Sequence, residues 1–393
     1  MNPGYGSALA LKEVKKDGTL EFYAITDRGP NGDTPAYVQD GKKISGKFFP
    51  TPDFTPSIGV ITVRPDKKRA DITASIPLKV NGKKISGLPV PQGMTGSTNE
   101  IALSLAMKDL GTDVHGLDTE GLALDRDGNF WISDEYGPFI IKADKSGNIL
   151  EKYAPGQGLP SILRCRVPNR GSEGITVDER GHIFALIQSP LNIDGQTAKT
   201  AKYTRIVELD PLTKETRMYA YPVDTGYKNT GAAKLGDITS IGNGQFLMIE
   251  QGKQHGKMQN LIYKVDLRQA SIIADNGDLE YGRLDGKIKP AAKELVLDLR
   301  AHGWDIEKAE GLALLPDRRT IAVVNDNDFG IDVGVDDPAV PQAKVTDYTY
   351  QQDTGTTTYN KDKSVHQARF YLEKNAPSEQ ESQIWLFTLP EKL

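Results

Sequence analysis

Short apolar runs alternate along the chain with breaks carrying Gly, Asp or Asn, and one phrase returns. It reads EGLALDRDGNFWISDE at 120, EGITVDERGHIFALIQ at 173 and EGLALLPDRRTIAVVND at 310, with weaker copies GDITSIGNGQFLMIEQ at 236 and GSALALKEVKKDGTLEFYAITDR at 6. Each copy is an apolar run, a tight polar turn and a second run rich in aromatic and β-branched residues, the pattern of a β-hairpin. Most copies are followed by further strand-like runs, such as FIIKAD and ILEKYA, TRIVELD and ETRMYAY, or NLIYKVDL and KELVLDL. Four strands per repeat, arranged radially, predict an all-β β-propeller. No amphipathic helical pattern alternates with the strands, which disfavours a parallel β/α solenoid.

Five repeats are visible, and the gaps at 7–120 and 237–310 are wide enough to hold a sixth blade. The chain reads as a single domain, 1–393, with long loops near 29–57, 81–117, 268–292 and 327–383. After the last hairpin only SQIWLFTL is strand-like, so an outer strand from an upstream segment is expected to close the ring.

The repeats also carry acids at one end. A two-residue hairpin turn at Asp127-Gly128 pairs Glu120 with Glu135 and Gly121 with Asp134. First strands line the channel of a propeller, so Glu120, Glu173, Asp237 and Glu310 converge on one axis. Asp27-Arg28, Asp134-Glu135, Gln188, Glu250-Gln251 and Asn325-Asp326 end the return strands beside them. Converging carboxylates raise one another's pKa values, and a cation relieves the conflict. Oxygen ligands without repeated His or Cys suit Ca²⁺ rather than Zn²⁺. The candidate metal ligands are therefore Asp27, Glu120, Asp134, Glu173, Asp237, Glu250, Glu310 and Asp326. The competing reading is that these acids accept backbone N–H groups or pair with Arg28 and Arg170 to fix blade register.

Composition narrows the choice. Net charge is −5 with Lys and Arg scattered, so no basic footprint for nucleic acid is present. No apolar run is long enough to span a membrane. Cys165 is the single cysteine and cannot form an internal disulfide. G-x-S-x-G is absent, since Arg170 precedes Gly171-Ser172 where that motif needs glycine, and neither H-E-x-x-H, the P-loop nor G-x-G-x-x-G occurs. Metal and carboxylate chemistry remains.

TDRGPNGD (26–33), EGLALDRDGNFWISDEYGPFI (120–140), NRGSEGITVD (169–178), FLMIEQ (246–251) and EGLAL with VVNDNDFGI (310–331) together resemble the phytase-like family, described by an esterase-like activity of phytase. The resemblance implies a propeller, export to the periplasm or outside the cell with a removed signal segment, and Ca²⁺-dependent hydrolysis of phosphate or carboxylic esters. Its pattern falls on Asp27, Arg28, Glu120, Asp134, Glu135, Arg170, Glu173, Glu250, Glu310, Asn325 and Asp326. Gln251 departs from it, standing where a basic residue would offer a phosphate contact.

Three functional readings follow. In the first, a small-molecule ester or phosphoester is hydrolysed, with Glu120 or Glu135 as candidate catalytic carboxylates and Arg28 or Arg170 stabilising negative charge. In the second, a lactonase-like sugar-acid ester hydrolase uses the same site. In the third, a structural cation holds a non-catalytic scaffold that binds a ligand or protein through Trp131, Tyr136, Phe139 and Phe329.

Overall fold

The computed structural model describes residues 1–393 and consists of strands and short 3-10 turns, with no α-helix. Five sheets follow one another, each with its strands in chain order. Sheet one is Ala8–Val14, Leu20–Ile25, Ser57–Arg64 and Arg69–Pro77, and sheet two is Thr119–Leu124, Phe130–Asp134, Phe139–Ala143 and Ile149–Pro155, with Gly158–Leu159 added at its edge. Sheet three is Ser172–Val177, Ile183–Ile187, Tyr203–Leu209 and Thr216–Pro222, and sheet four is Lys234–Gly242, Gln245–Gln254, Lys257–Asp266 and Ala292–Asp298. Sheet five has three strands, Gly311–Leu314, Thr320–Val324 and Ile384–Thr388. The wide gaps in the repeat pattern thus hold the outer strands of sheets one and four.

Second strands such as Phe130–Asp134 and Ile183–Ile187 are buried along their whole length because both faces meet a neighbouring sheet. Apolar clusters fill the spaces between sheets one and two, two and three, three and four, and four and five. A fifth cluster joins Leu9, Phe22 and Ile61 of sheet one to Ala313, Ala322 and Val324 of sheet five. The packing is therefore cyclic, a propeller-like arrangement.

The first strands approach one another closely at the axis, and glycine makes this possible. A Cβ on Gly174 would collide with the Asp237 backbone, and one on Gly311 with the Ala8–Leu9 backbone. In sheet four the corresponding place is taken by Asp237, which is 1% exposed. Its carboxylate accepts the N–H groups of Ile238 and Leu312, each at 2.8 Å, and backbone N–H groups of Leu9 and Ile175 also act on it. One side chain thereby ties sheets one, three, four and five together.

The segments expected to be long loops carry structure of their own. Ala36–Gln39 and Lys42–Ile44 join Tyr348–Gln351, Thr356–Tyr359 and Val365–His366 in one accessory sheet, while Ile331–Asp336 pairs with Arg369–Lys374. Tyr37, Phe48, Leu103, Val333, Val345 and Phe370 form its separate core. Their apolar positions are spread over three distant stretches, so no single stretch announces the layer.

Candidate functional site

The repeat acids leave the ladder at bulges. Pairing in sheet two passes from Thr119↔Asp134 to Gly121↔Ser133, skipping Glu120, so the expected pairs Glu120–Glu135 and Gly121–Asp134 do not form. Sheet three skips Glu173-Gly174, and sheet four skips Gly236-Asp237. A bulge re-aims a side chain and sharpens local twist, and here it coincides with the acid or axial residue in three sheets.

These devices open an axial cavity of about 240 Å³ whose lining contains no apolar residue. Glu120, Glu173 and Glu310 come from the starts of first strands, whereas Asp27-Arg28, Glu135, Gln188 and Asp326 follow the ends of second strands. Lys47 reaches it from the accessory region and pairs with Asp33 at 2.7 Å. Eight carboxylates face four cationic groups, leaving a negative excess.

Carboxylate oxygens of Asp27, Asp118 and Glu120 lie within 4.8 Å of one another. Asp118 is the pivot: Oδ1 accepts the Arg28 backbone N–H at 3.1 Å, and Oδ2 lies 3.2 Å from Arg28 Nη1 yet accepts no hydrogen bond. Arg28 Nη1 also donates to Asn169 Oδ1 at 3.3 Å, and its guanidinium lies 5.7 Å from the Tyr136 ring centre. An unsatisfied buried carboxylate oxygen is costly unless something outside the protein meets it. The all-oxygen donor set fits a hard divalent cation.

Across the cavity, Gln188 Nε2 bridges Glu135 and Glu173, while Lys308 Nζ pairs with Asp326 at 2.8 Å and Asp328 at 2.7 Å. Desolvation, followed by neighbouring carboxylates, pushes Glu120 and Glu173 well above the usual range. Desolvation also dominates at Glu135, where Asp118 raises the pKa further and Arg28 opposes it. Asp27 rises for the same reasons, with Asp326 and Asp118 as its repelling neighbours. Glu310 is raised to about 7, because desolvation outweighs the attraction of Lys308.

The cavity brings together Asp27, Arg28, Glu120, Glu135, Glu173, Glu310 and Asp326 of the sequence-selected set. Four others lie outside its lining. Asp134 accepts the N–H groups of Asp118 at 2.7 Å and Gly137 at 2.9 Å, closing the turn that carries Glu135. Asp237 is the axial tie described above. Glu250 accepts from the Tyr221 and Tyr227 hydroxyls at 2.7 and 3.1 Å and pairs with Lys293 at 2.8 Å. Arg170 donates to Ser189 Oγ at 3.0 Å and to the Gly231 carbonyl.

Asp118, Lys308, Lys234, Asp328, Asn31 and Asn169 complete the lining and were not selected from the sequence. Asp118 and Lys308 each stand two residues before a repeat glutamate, just ahead of a first strand, and that recurring spacing could have signalled them. Lys234 faces Gln251 across the ladder, so a cation enters the cavity from the strand opposite the departing position. Trp131, Tyr136, Phe139 and Phe329 are all buried, which removes them as a contact face.

Two other features lie apart from the axial cavity. A cleft of about 380 Å³ between sheets one and five, lined by Tyr5, Ile61, Ile72, Val324 and Ile384, contains none of the candidate residues. Ser364 Oγ, His366 and Asp337 have the outline of a hydrolytic triad, at 2.8 Å to Nε2 and 2.7 Å from Nδ1. However, Ser364 Oγ also donates to Asp362 at 2.7 Å, and Asp362 lies 3.4 Å from Nε2. Carboxylates at both nitrogens favour imidazolium, the opposite of a free base.

An uncharacterized secreted protein of Arthroderma benhamiae is 26% identical over 364 residues, covering 75% of this chain and 68% of that protein. Among solved structures, virginiamycin B lyase from Staphylococcus aureus is similar at 13% identity and a TM-score of 0.33, covering 81% of this chain and 90% of the lyase. PorZ of Porphyromonas gingivalis is similar at 11% identity and a TM-score of 0.39, over 94% of this chain and 36% of PorZ. The Phytase-like family model, esterase-like activity of phytase, matches residues 4–329, and the chain belongs to that family.

Proposed function

We propose that this chain is a Ca²⁺-dependent hydrolase of polar phosphate or carboxylic esters, acting at the axial cavity of a five-bladed propeller. The observation that carries the reading is the Asp27, Asp118 and Glu120 cluster, with oxygens within 4.8 Å of one another and Asp118 Oδ2 without a hydrogen bond. These three residues would hold the ion. When bound, it supplies Lewis acidity toward an ester oxygen.

The chain's own groups do the rest. Glu310, with a pKa of about 7, is suited to exchange a proton near neutrality. Arg28, fixed by Asp118, offers positive charge to an oxyanion, and its Nε has no hydrogen-bond partner within the protein. Gln188 holds Glu135 and Glu173 in place. The absence of apolar lining disfavours esters of long acyl chains. The secreted relative supports export of this chain.

The test is turnover of phosphomonoesters, phosphodiesters, carboxylic esters and lactones by the full chain, with Ca²⁺ or chelator, beside Glu120→Gln. Ca²⁺-dependent turnover that is lost in Glu120→Gln supports the reading, and lactone preference would narrow it to sugar-acid chemistry. No turnover of any substrate would sink it. Chelation that lowers the melting temperature without any turnover would instead support a structural cation in a binding scaffold.

A further inference from the structure

Sheet five ends on Ile384–Thr388, which pairs with Thr320–Val324 alone, whereas each of the other four sheets continues to a fourth strand. Leu389 N–H donates to the Arg319 carbonyl at 2.9 Å, and the Thr320 carbonyl turns the other way, accepting Leu315 N–H at 2.8 Å. Alternation along the ladder therefore points the N–H and C=O groups of Trp385 and Phe387 inward and those of Ile384, Leu386 and Thr388 outward. No strand within residues 1–393 meets these outward groups. Exposed edges are ordinarily blunted by a charge, a proline or a bulge, and the run IWLFT carries none of them.

The cleft of about 380 Å³ between sheets one and five adjoins this edge. Val324 and Ile384 form one side of it, and Ile61 and Ile72, from the outer strands of sheet one, form the other. Ile72 is 42% exposed there. Ile384 and Leu386 pack toward sheet one, while Trp385 and Phe387 pack toward sheet four. Directly opposed residues of an antiparallel pair share a face. A strand laid against Ile384–Thr388 thus sends the side chains opposite Ile384, Leu386 and Thr388 toward the cleft, so the open ladder and the apolar cleft are in register. The first residues of the chain do not lie along this edge. Asn2 N–H donates to the Phe329 carbonyl at 2.8 Å and the Pro3 carbonyl accepts from Asn327 at 3.2 Å, which places them at one end of the cleft.

We propose that this edge is a strand-addition site for a partner protein, which docks an extended segment antiparallel to Ile384–Thr388 with apolar residues at alternate positions and a cationic residue at its C-terminal end. Antiparallel pairing is how the fourth strand joins the third in sheets one to four. It brings the C-terminal end of the segment to Glu381, a carboxylate of the cleft lining that makes no hydrogen bond or ion pair within the protein. Asp71, the other acid of the lining, is already paired with Arg64 and Arg69. In this mode of recognition main-chain hydrogen bonds give affinity and the pockets for alternate side chains give specificity. A second copy of this chain fits less well. Antiparallel pairing of two such edges about Leu386 brings Glu381 of each copy toward Glu391 of the other, opposing like charges. The site is separate from the axial cavity and independent of its chemistry.

The experiment is fluorescence anisotropy of the full chain with the N-terminally labelled peptide Val-Thr-Val-Thr-Val-Thr-Lys. The controls are the same residues ordered Val-Val-Val-Thr-Thr-Thr-Lys and the alternating peptide ending in Glu. Wild type should bind the alternating lysine peptide roughly tenfold or more tightly than either control. Ile72→Glu, which charges the cleft wall, and Thr388→Pro, which removes one outward N–H, should each weaken it by a similar factor. Both should keep the wild-type melting temperature, since Ile72 is exposed and the Thr388 N–H bonds nothing in the fold. If Thr388→Pro melts early, Ile72→Glu decides. Hydrogen exchange should show the Ile384, Leu386 and Thr388 amides protected only when the peptide is bound. No binding of the alternating peptide, equal binding of the controls, or unchanged binding in Ile72→Glu overturns the proposal. Protection of those three amides in the chain without peptide also overturns it, and a sedimenting dimer that protects them would assign the edge to a second copy instead.

Discussion

Replacing Asp237 by Asn keeps size and shape but removes the charge and one acceptor oxygen from the axis. In the native fold the carboxylate accepts Ile238 N–H and Leu312 N–H, each at 2.8 Å, and the N–H groups of Leu9 and Ile175 also act on it. An asparagine Oδ1 can serve part of this set, and its amide N–H₂ must then face a backbone N–H in a region without solvent. A hydrogen bond to a charged group contributes about 1.5–3 kcal/mol, and a buried stranded donor costs about 1–3 kcal/mol. Burial itself pushes Asp237 well above the usual carboxylate range, while the backbone donors pull it back, so losing the charge returns part of the cost. The expected net loss is about 2–4 kcal/mol. Urea unfolding should show a lower midpoint with an unchanged slope, since the unfolded surface is the same. Asp237→Ala, which strands every donor, should lose more. A change within about 0.5 kcal/mol would refute the axial tie, because that is the range of surface substitutions without a structural role. A loss of Ca²⁺ affinity at unchanged stability would make Asp237 a ligand instead.

Other outcomes follow from the same geometry. Asp27, Glu120, Glu135, Glu173 and Glu310 all have raised pKa values, so the native state holds more protons than the unfolded chain above the ordinary carboxylate range; without cation, melting temperature should fall from pH 4.5 toward 7.5. Added Ca²⁺ should flatten that decline, and identical profiles with Ca²⁺ and with chelator would contradict it. Gly174→Ala places a Cβ against the Asp237 backbone and should cost about 1–3 kcal/mol by urea unfolding, more than Gly181→Ala at an open turn once its positive-φ strain is allowed for. At His366, burial lowers the pKa, but Asp337 and Asp362 outweigh it and leave it raised. The clasp it makes is fully present below the ordinary imidazole value and is lost as pH rises through the raised one. Proteolysis of the 327–383 segment should accordingly quicken between pH 6 and pH 8 in wild type, and His366→Gln should abolish that dependence.

The repeat made much of this molecule readable. EGLAL, EGITV and EGLAL give the first strands, their glycines mark the close approach at the axis, and their glutamates mark the cavity. The bulges were hidden because pairing register depends on a partner strand: nothing in TEGLAL by itself shows that Glu120 leaves the ladder while Thr119 and Gly121 stay in it. Asp237 was readable as a repeat acid, yet it stands at the glycine position, one residue past the glutamates, and that shift takes it from the cavity into the axial core. Glu250 pairs with Leu235 as Asp134 pairs with Thr119, so it holds the register place of Asp134 rather than of Glu135, and Tyr221, Tyr227 and Lys293 consume its acceptors. Asp118 was readable only by its place two residues before Glu120, and Lys234 carries no motif of its own and acquires meaning from where the strand starts lie around the ring.

The most direct measurement is anomalous diffraction from crystals grown with Ca²⁺ or Mn²⁺. The account predicts a peak bounded by Asp27, Asp118 and Glu120 that disappears in Asp118→Asn. A fully occupied peak elsewhere, or density between these three residues that persists in Asp118→Asn, would contradict it.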